Sequence, residues 1–228
     1  MPESSDFFAE WPEKYDEWFE TPVGRLVREY EGRLLREMVI PEPNERILDV
    51  GCGTGVFTAD LLDAGSRVTG LEISLPMLLS AGKKAAGRPF CMVRGDMRAL
   101  PFAGNSFDKT VSVTAIEFLD EDAAGAVAEM FRVTRPGGLV VVASLNSLSP
   151  WAARRKASAQ NHPIFTHARF RSPAEMKELA PFPASVRTAV HFQKHEDPGR
   201  ARKIESEGSA HGLDTGAFLA VCWKKPAL

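Results

Sequence analysis

The segment Ile47-Leu48-Asp49-Val50-Gly51-Cys52-Gly53-Thr54-Gly55 constrains this chain more than any other. A short aliphatic run enters it, a helix-compatible stretch from Val56 leaves it, and three glycines stand between. Glycine tolerates left-handed backbone and lets a ligand approach the main chain with no Cβ in the way. In open α/β sheets the ligand lies beyond the carboxyl ends of the strands, where such a turn sits. The spacing is G-x-G-x-G, and Val56 stands where a dinucleotide fingerprint wants its last glycine, which argues against NAD or FAD. No Gly-Lys-Ser/Thr follows, so the turn is not a P-loop. Glu72, 17 residues after Gly55, ends the next aliphatic run, where a carboxylate can accept both hydroxyls of a ribose.

The flanking pattern supplies the sheet that such a turn needs. Strands are expected at Arg46–Val50, Arg67–Leu71, Pro89–Arg94, Phe107–Val113 and Leu139–Ser144. Helices are expected between them at Val56–Ala64, at Ser74–Ala86 with Ser74 as N-cap, and at Glu121–Thr134. Continuous apolar strands alternating with helices predict a doubly wound parallel sheet covered on both faces, with right-handed connections. Ahead of it, Val23, Leu26, Val27, Tyr30, Leu34, Leu35 and Met38 recur at helical spacing, predicting an amphipathic helix over Pro22–Val39, ended by Pro41 and Pro43. Beyond Asn146, Pro150–Lys156 and Pro173–Leu179 read as short helices and Val186–Gln193 and Ala217–Trp223 as strands. Glu196–Gly212 reads as a polar loop, so the two late strands are expected to form an antiparallel hairpin closing one sheet edge.

Composition narrows the partners. A chain of 228 residues with 44% apolar and 25% charged residues is an ordinary globular chain, neither disordered nor fibrous. Lys+Arg 28 against Asp+Glu 30 gives a net charge of −2, no electrostatic reason to expect nucleic acid or a membrane surface. Cys52, Cys91 and Cys222 are too scattered for a disulfide framework or a zinc site, and no metal is expected. Reduced thiols, an acidic N-terminus without a signal-peptide pattern and a longest apolar stretch of only Leu139–Ala143 lead to the expectation of a cytoplasmic protein without a membrane span.

The ILDVGCGTG turn, Glu72, Gly95-Asp96 followed by LPF and SFD, and Arg135-Pro136-Gly137-Gly138, in that order, resemble a class I S-adenosylmethionine (SAM) methyltransferase. Within that superfamily the chain is similar to the small-molecule group that includes the quinone-biosynthesis C-methyltransferases. The resemblance is strong over residues 44–146 and looser outside. It implies a Rossmann-like sheet of seven strands, mostly parallel with the last antiparallel, an N-terminal helical lid over residues 1–43 and a SAM-binding domain over 44–228. It also implies that Gly51, Gly53 and Gly55 pack against the methionine and ribose moieties of SAM. Asp49 would orient the amino group, unless it only caps the turn. Glu72 would bind the ribose hydroxyls, Ile73 cover the adenine, Asp96 accept from the adenine amino group and the Met97 N–H reach the ring. Thr114 would offer its carbonyl to the methionine amino group. Cys52 and Thr54 within the turn, Cys52 as a small filler, and Met77 in the next helix complete the expected cofactor contacts. The Arg-Pro-Gly-Gly turn is assigned no chemistry.

Methyl transfer from a sulfonium needs mainly positioning, and a general base only where the acceptor must lose a proton. Glu117, after the fourth strand, is the best-placed ionisable residue for that task. In similar enzymes Tyr15, Trp18, Phe19 and Tyr30 would wall the acceptor site, or else simply pack the helix on the sheet. Asn146, Trp151 and Arg154 are further acceptor-side candidates. Arg154, Arg155, Lys156, Arg169 and Arg171, five cations within 18 positions, could hold a carboxylate or phosphate or form a solvated face. His162 and His167 flank Pro163 at a spacing that is not a metal pattern. The expected function is SAM-dependent methylation of a small-molecule acceptor. A SAM-binding sensor or partner subunit without turnover is the alternative, and a nicotinamide-dependent oxidoreductase is opposed by Val56. Oligomeric state is not legible.

Overall fold

The structure, a computed structural model, describes residues 12–158 and 167–227. Its centre is a seven-stranded sheet in the order β3-β2-β1-β4-β5-β7-β6. The strands are β1 (Arg46–Val50), β2 (Arg67–Glu72), β3 (Phe90–Arg94), β4 (Phe107–Val113), β5 (Thr134–Leu145), β6 (Ala184–Ala189) and β7 (Phe218–Lys224). Neighbours from β3 through β5 pair parallel, and β7 alone runs antiparallel, to β5 on one side and β6 on the other. The doubly wound, mostly parallel architecture with an antiparallel last strand is thus observed. The strand order reverses between β1 and β4, so the glycine turn after β1 opens at the crevice where such sheets take their ligands.

The helices are α1 (Pro12–Glu20), α2 (Pro22–Val39), α3 (Thr58–Asp63), α4 (Leu75–Lys84), α5 (Ala123–Val133), α6 (Pro150–Ser158), α7 (Pro173–Lys177) and α8 (Pro198–Ala210), with a 3₁₀ turn at Ile116–Phe118. Adjacent strand residues feed opposite layers: Ile47 joins the core beneath α2 and α3, whereas Leu48 and Val50 join the one beneath α5. α2 starts on Thr21, whose hydroxyl accepts from Gly24 N with Pro22 in the first turn, and ends on Ile40 in left-handed backbone. Its apolar stripe packs Leu26, Val27, Leu34 and Leu35 onto the sheet.

One expectation is corrected. Glu196–Gly212 is not a polar loop, because Pro198–Ala210 forms α8. Asp197 caps it, its carboxylate accepting from Gly199 N and Arg200 N, and Pro198 suits the first turn. The buried positions are Ala201, Glu205 and Gly208, which keep helical spacing without supplying an apolar stripe. Glu205 accepts from Val190 N, His191 N and His191 Nδ1, fixing α8 to the end of β6. The late strands are therefore joined across a helix, although they pair antiparallel at the sheet edge as expected. The strand expected at Val186–Gln193 falls at Ala184–Ala189, with Val190 in left-handed backbone just beyond.

Candidate active site

The glycine turn is held by its neighbours. Gly51 N and Cys52 N donate to the Leu71 carbonyl at 2.7 and 3.1 Å. Gly51 takes φ +73°, and a Cβ there would stand 2.5 Å from the Ala115 Cβ, so the loop after β4 lies directly against the turn. A Cβ on Gly53, by contrast, would meet nothing within 4 Å. That open cradle lies beside a prepared carboxylate. Glu72, 8% exposed, accepts from Gly53 N at 3.1 Å with one oxygen and from Ser74 N at 2.9 Å with the other. Burial raises its carboxyl above the usual range while those N–H groups pull it back. Each oxygen keeps a lone pair for a further donor, which is what a vicinal diol requires. Donor set and open cradle together fit the ribose end of SAM.

Asp49, 2% exposed, accepts from Thr58 Oγ1 at 2.6 Å, and burial, with Glu72 nearby, pushes its carboxyl up to about 6. Asp96 is clasped by the Arg98 guanidinium at 2.6–3.1 Å and lies below the usual carboxylate range. A contact to adenine would use its remaining lone pairs. The Met97 side chain packs in the core, and its backbone N–H makes no hydrogen bond among the described residues. Met77 is buried, and the Ile73 carbonyl accepts from Arg94 Nε. Thr114, just past β4, has φ +47°, a strained state for a β-branched residue.

α1 closes over this edge. Thr54 Oγ1 in the glycine turn donates to Asp16 Oδ1 at 2.7 Å, and Lys84 Nζ on α4 pairs with Asp16 Oδ2 at 2.6 Å. Tyr15 lies with its hydroxyl 3.5 Å from Thr114 Oγ1, and burial pushes the phenol well up. Trp18 and Phe19 meet edge to face, and Phe19 meets Phe57 likewise.

Beside Tyr15 is a second polar group. Glu117, 1% exposed in the 3₁₀ turn, accepts from Ser144 Oγ at 3.2 Å, and burial pushes it up to about 7. Glu31 was missed by sequence reasoning. It lies 6% exposed on the inner face of α2, takes no hydrogen bond among the described residues, and burial pushes it up to about 8. Arg155 of α6 interacts electrostatically with both carboxyls, which support its charge against burial, and stacks over Trp151 at 5.4 Å and Phe170 at 5.8 Å.

The other expected acceptor residues are engaged with the protein itself. Tyr30 is buried edge-on to Phe192, and Trp151 Nε1 donates to the Phe192 carbonyl at 2.6 Å. Asn146 donates to the Asp214 and Gly216 carbonyls and accepts from Leu148 N. Arg171 donates to the carbonyls of Ile116, Leu119 and Asp120, bracing the turn that carries Glu117. Arg169 adds an N–H to the Glu117 carbonyl and an ion pair to Asp120. Arg154 is exposed, 3.2 Å from His195 Nδ1. The Lys156 side chain and His162 lie outside the described residues. A groove of about 550 Å³ on the outer side of the glycine turn contains Arg25, Arg28, Arg36 and Lys84, all paired with Glu20, Asp60 or Asp16. Among the described residues no His/Cys/Asp/Glu group could hold a metal ion, and no helix is long and apolar enough to cross a membrane.

The fold is the one that Rossmann-like methyltransferases share. Residues 48–142 match the family described as Methyltransferase domain. The demethylmenaquinone methyltransferase of Renibacterium salmoninarum is 40% identical over 114 residues, 50% of this chain and 47% of that protein. The malonyl-[acyl-carrier protein] O-methyltransferase of Erwinia billingiae is 32% identical over 161 residues, 71% of this chain and 59% of that protein. The chain thus spans about half the length of the curated relatives it matches. In fold it resembles a SAM-dependent methyltransferase of Thermotoga maritima, described as a possible histamine N-methyltransferase, with TM-score 0.74, 22% identity and coverage of 96% of this chain and 99% of that one.

Proposed function

We propose that this chain methylates a small-molecule acceptor at the carboxyl edge of the sheet. SAM, when bound, supplies an electrophilic methyl group on an already activated leaving group. The carrying observation is Glu72, oriented by Gly53 N and Ser74 N beside the open cradle at Gly53. In this reading Glu72 holds the ribose, Asp49 the amino end, Asp96 and Met97 N the adenine, and Ile73 and Met77 the apolar walls. The three glycines, with Cys52 and Thr54, leave room for the methionine portion, and the Thr114 carbonyl faces its amino group. Tyr15, Trp18 and Phe19 on α1 exclude water from the transfer, so the expected lid over residues 1–43, of which 1–11 lie outside the described residues, covers a domain over 44–228. In-line displacement then depends on holding the nucleophile and the methyl group in register. The relatives act on small or carrier-bound acceptors by their names, and a net charge of −2 supports a small molecule rather than nucleic acid, in a cytoplasmic setting.

Calorimetric titration with SAM, S-adenosylhomocysteine and NAD, alongside Glu72→Ala, tests this. Both sulfur ligands should bind and NAD should not, and the substitution should weaken binding about 100-fold or more, because charge-assisted bonds to two hydroxyls are lost. Saturable NAD binding without SAM binding would overturn the reading.

A further inference from the structure

The polar group at Tyr15, Glu31, Glu117 and Arg155 is built from four separate parts of the chain: α1, α2, the turn after β4, and α6. It borders the cofactor cradle through Thr114 and Ala115, since Tyr15 reaches Thr114 and Ala115 touches the glycine turn. Glu31 is a carboxylate more than nine-tenths buried, with no hydrogen bond among the described residues, and it interacts with Glu117 and Arg155. A core position on α2 has no structural use for such a group, because an apolar residue would pack there without the cost of desolvation.

From this arrangement we infer that the acceptor is a small amine, whose protonated nitrogen is received between Glu31 and Glu117, with Trp151 and Phe170, which flank Arg155, as its aromatic surround. The inference rests on the methyltransferase reading and supplies its substrate class. Arg155 is shared by two carboxyls, and Arg171 is committed to three carbonyls. Arg28 is paired with Asp60 and Asp16 with Thr54 and Lys84, which leaves the two carboxyls short of positive charge. Both in fact stand above the usual carboxylate range, so the cations present do not offset their burial. An ammonium group would. A carboxylate or phosphate acceptor would instead be brought against two buried carboxyls at once.

The same pair can complete the chemistry. The ammonium gives a proton to one carboxylate, and the nitrogen lone pair so freed forms the new N–C bond while the C–S bond breaks, its electron pair staying on sulfur. The product leaves as the methylated ammonium, and the carboxyl returns the proton to solvent.

The test is calorimetry on the full chain with saturating S-adenosylhomocysteine, using phenethylamine, 2-phenylethanol and 3-phenylpropionate as matched cationic, neutral and anionic probes. Phenethylamine should bind at least tenfold more tightly than either of the others. Its heat should differ between phosphate and Tris at pH 7, reporting release of a proton from the carboxyl pair. Glu31→Gln, isosteric and uncharged, should weaken the amine tenfold or more, abolish the buffer dependence and leave S-adenosylhomocysteine affinity within twofold. Preference for 3-phenylpropionate, an unchanged amine affinity in the variant, or no amine binding to protein that binds S-adenosylhomocysteine would each overturn the inference while leaving the methyltransferase reading intact. Failure to bind S-adenosylhomocysteine would overturn the reading on which it rests.

Discussion

Replacing Glu31 with glutamine should stabilise the protein, by an amount that grows with pH. The Glu31 carboxyl ordinarily ionises near 4.5 and is pushed up to about 8 by burial on α2. A carboxyl with a raised folded pKa adds no penalty below its unfolded value, costs stability progressively between the two, and reaches a plateau above the folded one. From these two values the cost is below about 1 kcal/mol at pH 5, about 3 kcal/mol at pH 7 and about 4 kcal/mol at pH 8. Glutamine pays none of it, and the volume is unchanged. For a chain of 228 residues, at roughly 2–4 °C per kcal/mol, the variant should melt about 6–12 °C higher at pH 7 and only a few degrees higher at pH 5. Asp49, pushed up to about 6, titrates equally in both proteins and cancels in the difference. Glu117, pushed up to about 7, is coupled to Glu31, as are Tyr15, Arg28 and Arg155, so its own titration should move down in the variant. Thermal melts of the two proteins by circular dichroism from pH 5 to 9 decide the matter. A difference in Tm that stays flat across that range, or a variant less stable at pH 8, would refute the idea that Glu31 is a buried carboxyl without adequate compensation.

Two further substitutions probe the cradle and its cover. Gly51→Ala places a methyl group 2.5 Å from the Ala115 Cβ at φ +73°. It should cost more than about 1 kcal/mol in denaturant melts and abolish S-adenosylhomocysteine binding in calorimetry. Asp16→Asn removes the charge that joins α1 to Lys84 and to the glycine-turn hydroxyl, in a partly exposed pair worth about 0.5–1 kcal/mol. S-adenosylhomocysteine affinity should fall by about two- to fivefold, and the gap from the wild type should narrow as salt rises to about 1 M.

The parallel half of the sheet was readable because each of its strands carries its own apolar run and each turn its own glycine or proline. Arg46–Val50 and Phe107–Val113 fall where the apolar pattern put them. β2 runs one residue further than expected, to Glu72, because the sheet register carries pairing to the end, with Glu72 opposite Arg94. The antiparallel end was less legible. Its helix α8 is buried through Ala201, Glu205 and Gly208, and its amino-terminal cap supplies the order that apolar contact supplies elsewhere. Periodicity looks for large apolar side chains, and here the helix stays on the sheet through a carboxylate bonded to two backbone N–H groups.

The proposed cofactor side of the site has the same local character. Turn, strand end and following residue lie close together in sequence, so Glu72 and the glycines could be singled out without knowing the fold. The proposed acceptor side is assembled from residues up to 140 positions apart, from Tyr15 to Arg155, and only one local sign of it exists. Glu31 interrupts the apolar stripe of α2, four residues after Val27 and four before Leu35, both buried. A charged residue at such a position must either be paired or be waiting for a partner, which makes it worth marking in any amphipathic helix. The basic run from Arg154 to Arg171 shows the reverse hazard. Counted along the chain it is positive, yet Arg171 and Arg169 brace backbone carbonyls and Asp120, Arg154 faces His195, and Arg155 turns inward to two glutamates. The charge a ligand meets is set by which guanidinium groups the fold has already committed, and at this edge of the sheet that leaves carboxylates in excess.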